Sequence, residues 1–230
     1  MNRLSDDLVG FCIVAVPLFF AIVLHEIAHG YVALLCGDST AKNANRLSLN
    51  PLRHIDIFGT LILPALLVLT KAPFMFGWAK PVPVDFSGLN RPKRDMTLVA
   101  LAGPMTNLVL ALAAARILAY FYKNSFAMTD SLAVTFFQNT LLCNLSLMLF
   151  NLIPCLPLDG GRILAGILPE RLSKAYARTE RYGVFILVLF FVLLPMTGEK
   201  FGYDWDFVHL YMVKGIGIVL EGLDALFGLS

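Results

Sequence analysis

The sequence predicts an all-α polytopic membrane protein with about five to six transmembrane helices, and with a re-entrant or short-stranded element between the first and second core helices. Composition is the first reason, because 58% of the 230 residues are hydrophobic and only 15% are charged, whereas a soluble domain carries about 25% charged residues. The second reason is that the apolar residues form long blocks, several of which approach the roughly 20 helical residues that cross a bilayer. These blocks are residues 8–24, 98–122, 131–153, 183–196 and 207–220.

The whole chain, residues 1–230, is predicted to form a single membrane domain, with a core over 8–169 and additional membrane segments over 181–227. The sequence contains no internal repeat, and no polar insert is long enough for a second domain. A cleaved signal peptide is disfavoured because Asp6 and Asp7 precede the first block and no small-residue cleavage site ends it.

The charge pattern gives no support for a nucleic-acid partner, since the net charge is only +2 and no basic stripe is present. The lipid bilayer is the partner that this composition predicts. The cysteines show no CxxC spacing and two of them lie inside apolar blocks, so we expect buried, inert thiols rather than a disulfide framework. They are Cys12, Cys36, Cys143 and Cys155.

Three ionisable side chains lie in the otherwise apolar sequence AIVLHEIAHGYVALL, residues 21–35. His25 and His29 are four residues apart, so on a helix they share one face, with roughly 5–6 Å between their Cβ atoms. Both imidazoles can then bind one zinc ion, while Glu26 can act as a general base beside the metal. Because each ionisable group costs free energy inside a membrane, we favour a metal site over two satisfied core histidines with a chance glutamate.

A catalytic zinc site needs a third protein ligand and one open position. The candidates are His54, which we expect in an interfacial loop, His209, at the start of the last block, and Asp159. Asp159 follows an apolar block in LFNLIPCLPLDGGRIL, where prolines and glycines break the helix. Irregular backbone at membrane depth is tolerated only against protein or a water-filled cavity. The alternative for Asp159 is a loop aspartate that caps the next helix.

Positive charge flanks the blocks unevenly, and cytoplasmic loops are enriched in Lys and Arg. If residues 55–90 enter the membrane and return to the side they left, one side carries eleven basic residues and the other carries three. A single crossing by residues 58–70 would weaken this asymmetry and separate His29 from Asp159. We therefore predict a multi-pass protein of a prokaryotic cytoplasmic membrane, with its amino terminus outside and the site nearer the cytoplasmic face. The eleven residues are Lys42, Arg46, Arg53, Arg91, Lys93, Arg94, Arg162, Arg171, Lys174, Arg178 and Arg181.

Three motifs follow one another along the chain: HEIAHG at 25–30, LAGPMTNL at 101–108 and FNLIPCLPLDGGRIL at 150–164. Together they resemble the site-2 protease family of intramembrane zinc metalloproteases. The sequences NPLRHIDIFGTLILP and FGWAKPVPV look like the compact subgroup of that family, which lacks PDZ and CBS domains. The resemblance spans residues 25–164, which is most of the chain.

The resemblance implies that His25, His29 and Asp159 bind one Zn²⁺ ion per chain and that Glu26 is the catalytic base of a zinc metalloendopeptidase. It also points to Asn151, eight residues before the aspartate, as the group that polarises the scissile carbonyl. The substrates it implies are transmembrane or membrane-anchored proteins, cleaved within or next to their membrane segments. It implies no particular oligomeric state.

Two further elements are candidates for substrate contact. FMFGWAKPVPV, residues 74–84, is predicted as an edge strand whose two prolines leave one edge without donors. Lys80, Val82 and Val84 would then pair with an unwound substrate through the other edge. The alternative is a polar turn punctuated by prolines. Asn107, in AGPMTN, either contacts substrate or forms a hydrogen bond between helices, worth about 1 kcal/mol.

Two other function classes match parts of the pattern. A membrane zinc carrier or sensor would use the same ligands, but it has no use for an acid such as Glu26 that lies beside the metal without binding it. A membrane metalloprotease of the prenyl-protein type would take its third ligand from a glutamate on a later helix. No apolar block of this sequence contains a convincing one.

Overall fold

The structure is a computed structural model that describes residues 3–62, 66, 69, 80–124, 132–201 and 206–228, and all regular secondary structure in those ranges is helical. Short helical turns lie at Pro51–His54, Ile57–Ile62, Phe86–Gly88, Glu180–Tyr182 and Leu189–Leu193, the last of which joins α7 to α8. The α-helices are α1 (Arg3–Leu35), α2 (Thr40–Asn43), α3 (Pro92–Lys123), α4 (Leu132–Asn151), α5 (Asp159–Ile167), α6 (Glu170–Ala177), α7 (Gly183–Val188), α8 (Leu194–Phe201) and α9 (Phe207–Phe227).

Four helical segments of the described chain are long and apolar enough to cross a membrane, which agrees with the prediction of an integral membrane protein. The last predicted block forms α9, but α9 is not one of the four, since its 21 residues include Lys214, Glu221 and Asp224. The predicted number of five to six spans therefore stays a prediction. The four segments are Leu8–Leu35, Pro92–Lys123, Leu132–Asn151 and Glu170–Gly198.

The core forms where α3 packs against α1, α4 and α5. Ala111, Ala114 and Ala115 of α3 are buried in one cluster with Leu141 and Leu145 of α4. Helices in a membrane gain little from hydrophobic exclusion and associate by close van der Waals contact, which small side chains permit. This close packing makes α3 the central helix, against which the other elements are positioned.

The segment between His54 and Lys80, which lies between α2 and α3, begins and ends close together. The Lys80 N–H donates a hydrogen bond to His54 O (2.9 Å), so the two flanks of the intervening segment touch. Of residues 55–90, which we predict to enter the membrane and return, residues 63–65, 67–68 and 70–79 lie outside the described residues, and these include most of the predicted strand, 74–84. Residues 80–85 are described and have no regular secondary structure, so the short strand also stays a prediction.

Polar contacts join the loops at this end of the bundle. Asp38, just after α1, accepts a hydrogen bond from the N–H of Asp85 (2.8 Å), and Asn90 N–H donates to Cys36 O (2.8 Å). Burial alone would raise the pKa of Asp38, but hydrogen bonds from Thr40 and Asp85 outweigh it and lower the pKa. The segment that precedes α3 is therefore held against the end of α1 by an ionised carboxylate.

The fold predicts which loops share a side of the membrane. Lys42, after α1, and Lys174, in α6, belong to the end that carries Asp159, whereas Asn124 lies at the opposite end of the 32-residue α3, about 48 Å away along the helix. In a cysteine-free background, Lys42→Cys and Lys174→Cys should react together with a membrane-impermeant maleimide in sealed vesicles. Asn124→Cys should react only in vesicles of the opposite orientation. Labelling of Lys42→Cys and Lys174→Cys from opposite sides would contradict this arrangement.

Candidate metal centre and active site

The three predicted metal ligands meet in the structure. His25 and His29 lie one turn apart on α1, and their Nε2 atoms are 3.0 Å from each other. Asp159, the first residue of α5, places its Oδ2 atom 3.1 Å from His25 Nε2 and 3.3 Å from His29 Nε2. Residues separated by 130 or more positions are thus brought to one point by the packing of α1, α3 and α5.

The hydrogen bonds on the far side of each imidazole define where its proton lies. His29 Nδ1 is 2.6 Å from the carbonyl oxygen of Val99, and His25 Nδ1 is 2.6 Å from Asn107 Oδ1. Both partners only accept, so both Nδ1 atoms carry the proton and donate it. In the neutral rings the Nε2 atoms then hold lone pairs, and their 3.0 Å separation is not a hydrogen bond.

This donor set fits a zinc ion. Two imidazole nitrogens and a carboxylate oxygen lie within 4.8 Å of one another, and Asp159 Oδ2 is buried without a hydrogen-bond donor among the described residues. Three converging lone pairs repel unless a cation lies among them. Two histidines and one carboxylate form an established ligand set for catalytic zinc.

Gly103 of α3 provides the space in front of the two imidazoles. A Cβ atom built on Gly103 would lie 2.5 Å from the Nε2 atoms of both His25 and His29, closer than any real Cβ contact. Gly103, in the LAGPMTNL motif, is therefore the position at which α3 lies too close to the metal ligands for any side chain. Sequence reasoning did not identify this role, because only the three-dimensional approach of α3 to α1 shows it.

Asp159 reaches the histidines because the chain before it folds back tightly. α4 ends at Asn151, and residues 152–158 turn before α5 begins. A Cβ on Gly160 would lie 2.3 Å from Leu152 O, and one on Gly161 would lie 2.5 Å from Leu156 N. Only glycine fits at these two positions, so the DGG sequence allows the turn to pack directly against the first turn of α5.

Glu26 lies beside the ligand set without joining it. Its Oε2 atom accepts a hydrogen bond from the N–H of Val82 (2.9 Å), and its side chain faces the same cavity as His25, His29 and Asp159. A carboxylate held in this way is positioned to exchange protons with a group inside the cavity.

Arg46 orders the segment that contacts Glu26. Its side chain is 9% exposed, and its guanidinium donates to Lys80 O (2.5 Å) and Pro81 O (3.3 Å). These bonds hold the two carbonyls on one side of the segment, so that the next N–H, that of Val82, is directed at Glu26. In the sequence Arg46 is only one of many loop cations, and no pattern distinguishes it.

Most of the predicted site residues face one cavity of about 320 Å³. Asn151 faces it from the last residue of α4, with its Nδ2 donating to Leu147 O (3.1 Å). Lys80 is not among the lining residues, and its N–H is already bonded to His54 O. The predicted residues that line the cavity are His25, Glu26, His29, Val82, Val84, Asn151 and Asp159.

Asn107 lies behind His25 rather than at the cavity. It is 0% exposed, and beyond its bond to His25 its Nδ2 donates to Asn144 Oδ1 (2.9 Å) and Ala21 O (3.3 Å). Of its two predicted roles, these contacts favour the hydrogen bond between helices. Asn144 was missed, although a polar side chain inside the apolar block 131–153 is the kind of signal that marks function in a membrane helix.

His54 is the last residue of the short turn Pro51–His54, in the loop between α2 and α3. It is 0% exposed, and its Nε2 lies 2.8 Å from Ser48 O. Its backbone carbonyl accepts the hydrogen bond from Lys80 N–H, and His54 is not among the residues that line the cavity. It therefore supports the local fold around Arg46 rather than the metal ligands.

An apolar helical bundle with two histidines, one carboxylate and a neighbouring glutamate defines a membrane zinc metalloprotease. The chain belongs to peptidase family M50, the site-2 protease family, whose sequence model matches residues 13–194. Zn²⁺ is therefore its cofactor.

Three relatives illustrate the similarity. The chain is 37% identical to "Putative zinc metalloprotease YwhC" of Bacillus subtilis over 180 residues, which cover 77% of this chain and 78% of that protein. It is 27% identical to "Putative zinc metalloprotease Rip2" of Mycolicibacterium smegmatis, over 90% of this chain and 79% of the relative. It is 24% identical to "Zinc metalloprotease MJ0392" of Methanocaldococcus jannaschii, over 84% of this chain and 46% of the relative. No solved structure matches the chain.

Gly103→Ala should strongly reduce zinc binding, because the added methyl group would occupy the space beside both Nε2 atoms. Zinc content per chain, measured by mass spectrometry of the purified protein, checks this. Gly217→Ala is the matched control, since Gly217 is also helical and a Cβ there meets nothing within 4 Å. Full zinc content in Gly103→Ala, with the control unchanged, would show that the space is not needed.

Proposed function

We propose that this protein is an intramembrane zinc metalloendopeptidase that hydrolyses peptide bonds within or next to the transmembrane segments of other membrane proteins. The observation that carries the proposal is the position of Glu26, which faces the ligand cavity but bonds to Val82 N–H instead of belonging to the ligand set. A site that only stored or carried zinc would gain nothing from this acid. The four apolar helical segments support a membrane-embedded substrate.

In this proposal His25, His29 and Asp159 hold the metal and leave the cavity side open to water and substrate. Zinc bound there supplies a Lewis acid, which can lower the pKa of water to about 7. Glu26 takes a proton from the attacking water and passes it to the leaving amine. Asn151 lines the same cavity, and its side-chain amide can donate a hydrogen bond to the carbonyl oxygen as negative charge develops on it.

The substrate must be extended to react, because a helix hides its peptide bonds in its own hydrogen bonds. Each N–H or C=O left without a partner in the membrane costs several kcal/mol, so the enzyme must offer backbone partners. The N–H groups of Lys80 and Val82 are already bonded, to His54 O and to Glu26. Val84 lines the cavity, and its N–H has no partner among the described residues. We therefore place the main-chain contact with substrate at Val84.

The proposed location is the cytoplasmic membrane of a prokaryote, with the amino terminus outside and the site toward the cytoplasm. The charge asymmetry of the loops supports this orientation, as does the position of Asp159 at the end of the bundle that carries most of the basic residues. Bacterial and archaeal relatives support the prokaryotic assignment.

Glu26→Gln should retain zinc but lower the rate of hydrolysis by about 10²–10⁴-fold, because the amide cannot accept the proton. The membrane proteomes of cells with the wild-type protein and with Glu26→Gln are compared, and fragments that disappear in the variant identify the substrate. Glu170→Gln is the control, since Glu170 is an exposed acid that pairs with Lys174 and does not line the cavity. Unchanged cleavage in zinc-loaded Glu26→Gln would refute the mechanism. If no fragment disappears in the variant, the carrier or sensor function is favoured.

Val84→Pro and Val82→Pro separate the two roles of this segment. Val84→Pro removes one main-chain donor for substrate, so kcat/KM should fall by up to about tenfold, in line with one net hydrogen bond. Val82→Pro removes the donor that holds Glu26 and should lower kcat. Both variants should keep their zinc, measured as metal per chain. Normal cleavage of the proteomically identified substrate by Val84→Pro would remove this segment from the substrate site.

A further inference from the structure

A chain of buried amides runs from α4 through α3 to the metal ligand His25. Asn144 on α4 is 1% exposed and Asn107 on α3 is 0% exposed. Asn107 Nδ2 donates to Asn144 Oδ1 (2.9 Å), and Asn107 Oδ1 accepts from His25 Nδ1 (2.6 Å). We infer that Asn107 and Asn144 are positioning residues, which fix the tautomer of His25 and so determine how tightly the site binds zinc.

An asparagine can present either its oxygen or its NH₂ group to a neighbour, and these two orientations demand opposite histidine tautomers. If Asn107 presented its NH₂ group, His25 Nδ1 would have to accept, and the ring proton would move to Nε2. A protonated Nε2 cannot bind a metal in the neutral ring. The orientation of Asn107 therefore decides whether His25 is a ligand.

Two acceptors hold Asn107 in the productive orientation. Its Nδ2 faces Ala21 O (3.3 Å) and Asn144 Oδ1 (2.9 Å), which require an NH₂ group at that position. Asn144 is itself oriented, because its own Nδ2 donates to Thr140 O (2.8 Å). The sequence of bonds thus starts at a backbone carbonyl, whose direction is set by the helix, and ends at the His25 proton.

His29 provides an internal comparison. Its Nδ1 donates to the carbonyl of Val99 (2.6 Å), which can only accept and belongs to the backbone of α3. The His29 tautomer therefore survives any side-chain substitution in the amide chain. A substitution of Asn107 should alter one imidazole and spare the other, which general destabilisation of the fold would not do.

The first measurement uses the metal-free full-length protein, labelled with ¹⁵N only at histidine, and reads the tautomer from the ring nitrogen shifts. In the wild type, His25 and His29 should both be protonated at Nδ1. In Asn107→Leu, which keeps the side-chain size but removes the acceptor, His25 should move to the Nε2-protonated form while His29 does not change. Asn107→Asp keeps an acceptor facing His25 and should restore the wild-type tautomer.

The second measurement is the zinc dissociation constant, obtained by competition with a chelator of known affinity. Loss of a group that orients a ligating histidine weakens metal binding by about 10–100-fold, and we expect this for Asn107→Leu. Asn144→Ala should weaken binding by a smaller factor, because Ala21 O still holds Asn107. Asn139→Ala is the matched control, since Asn139 lies on the same helix and contacts Ile13 O of α1 (3.5 Å) without reaching the metal ligands.

An unchanged His25 tautomer together with an unchanged zinc dissociation constant in Asn107→Leu would overturn the inference. If Asn107→Leu does not fold, the same two readings on Asn144→Ala decide. The inference rests on zinc binding by His25 and not on peptide hydrolysis, so the two proposals can fail separately. Cleavage by Glu26→Gln would refute the proposed function and leave the inference about the amide chain unaffected. Equal zinc affinities and an unchanged His25 tautomer in the wild type and Asn107→Leu would refute only that inference.

Discussion

The structure depends on the meeting of three lone pairs, on two imidazole nitrogens and one carboxylate oxygen, at a single buried point. His25 and His29 are deprotonated at Nε2 because acceptors on α3 hold their protons at Nδ1, and Asp159 adds a negative charge 3.1 and 3.3 Å away. Such an arrangement is repulsive by itself and favourable around a divalent cation. The packing of α1, α3 and α5 is therefore best understood as a means of holding this cation site closed on the protein side.

Helix α3 performs this task with residues spaced four apart. Val99 supplies the carbonyl for His29, Gly103 leaves space beside both Nε2 atoms, and Asn107 supplies the oxygen for His25. Positions i, i+4 and i+8 lie along one face of a helix. The three residues of α3 therefore face the same pair of histidines. The two histidines have the same spacing on α1, so the two helices match each other turn by turn.

The other side of the site is built from irregular chain. Residues 80–84 lie over Glu26, directed by the guanidinium of Arg46 and by the bond between Lys80 N–H and His54 O. Backbone of this kind is stable near a membrane only where protein or water satisfies its polar groups. Here the Arg46 guanidinium, the Glu26 carboxylate and the backbone carbonyl of His54 bond to the polar groups of residues 80–82. The result is a site with helices behind the metal ligands and a separately held segment on the cavity side, where we propose that substrate binds.

The sequence by itself indicated the membrane class, the long apolar segments and the paired histidines of HEIAH, because composition, the cost of ionisable groups in lipid and the i, i+4 spacing are local properties. Asp159 could be named as a candidate because the break in LFNLIPCLPLDGG is also local. Only the tertiary structure decided that Asn107 bonds to His25 from behind and that Asn144 bonds to Asn107. It also decided that Arg46 bonds to the carbonyls of residues 80 and 81 and that Val82 N–H donates to Glu26. These facts depend on which faces of distant segments meet, and an asparagine or a loop arginine has the same local pattern whether it binds substrate, a neighbouring helix or water.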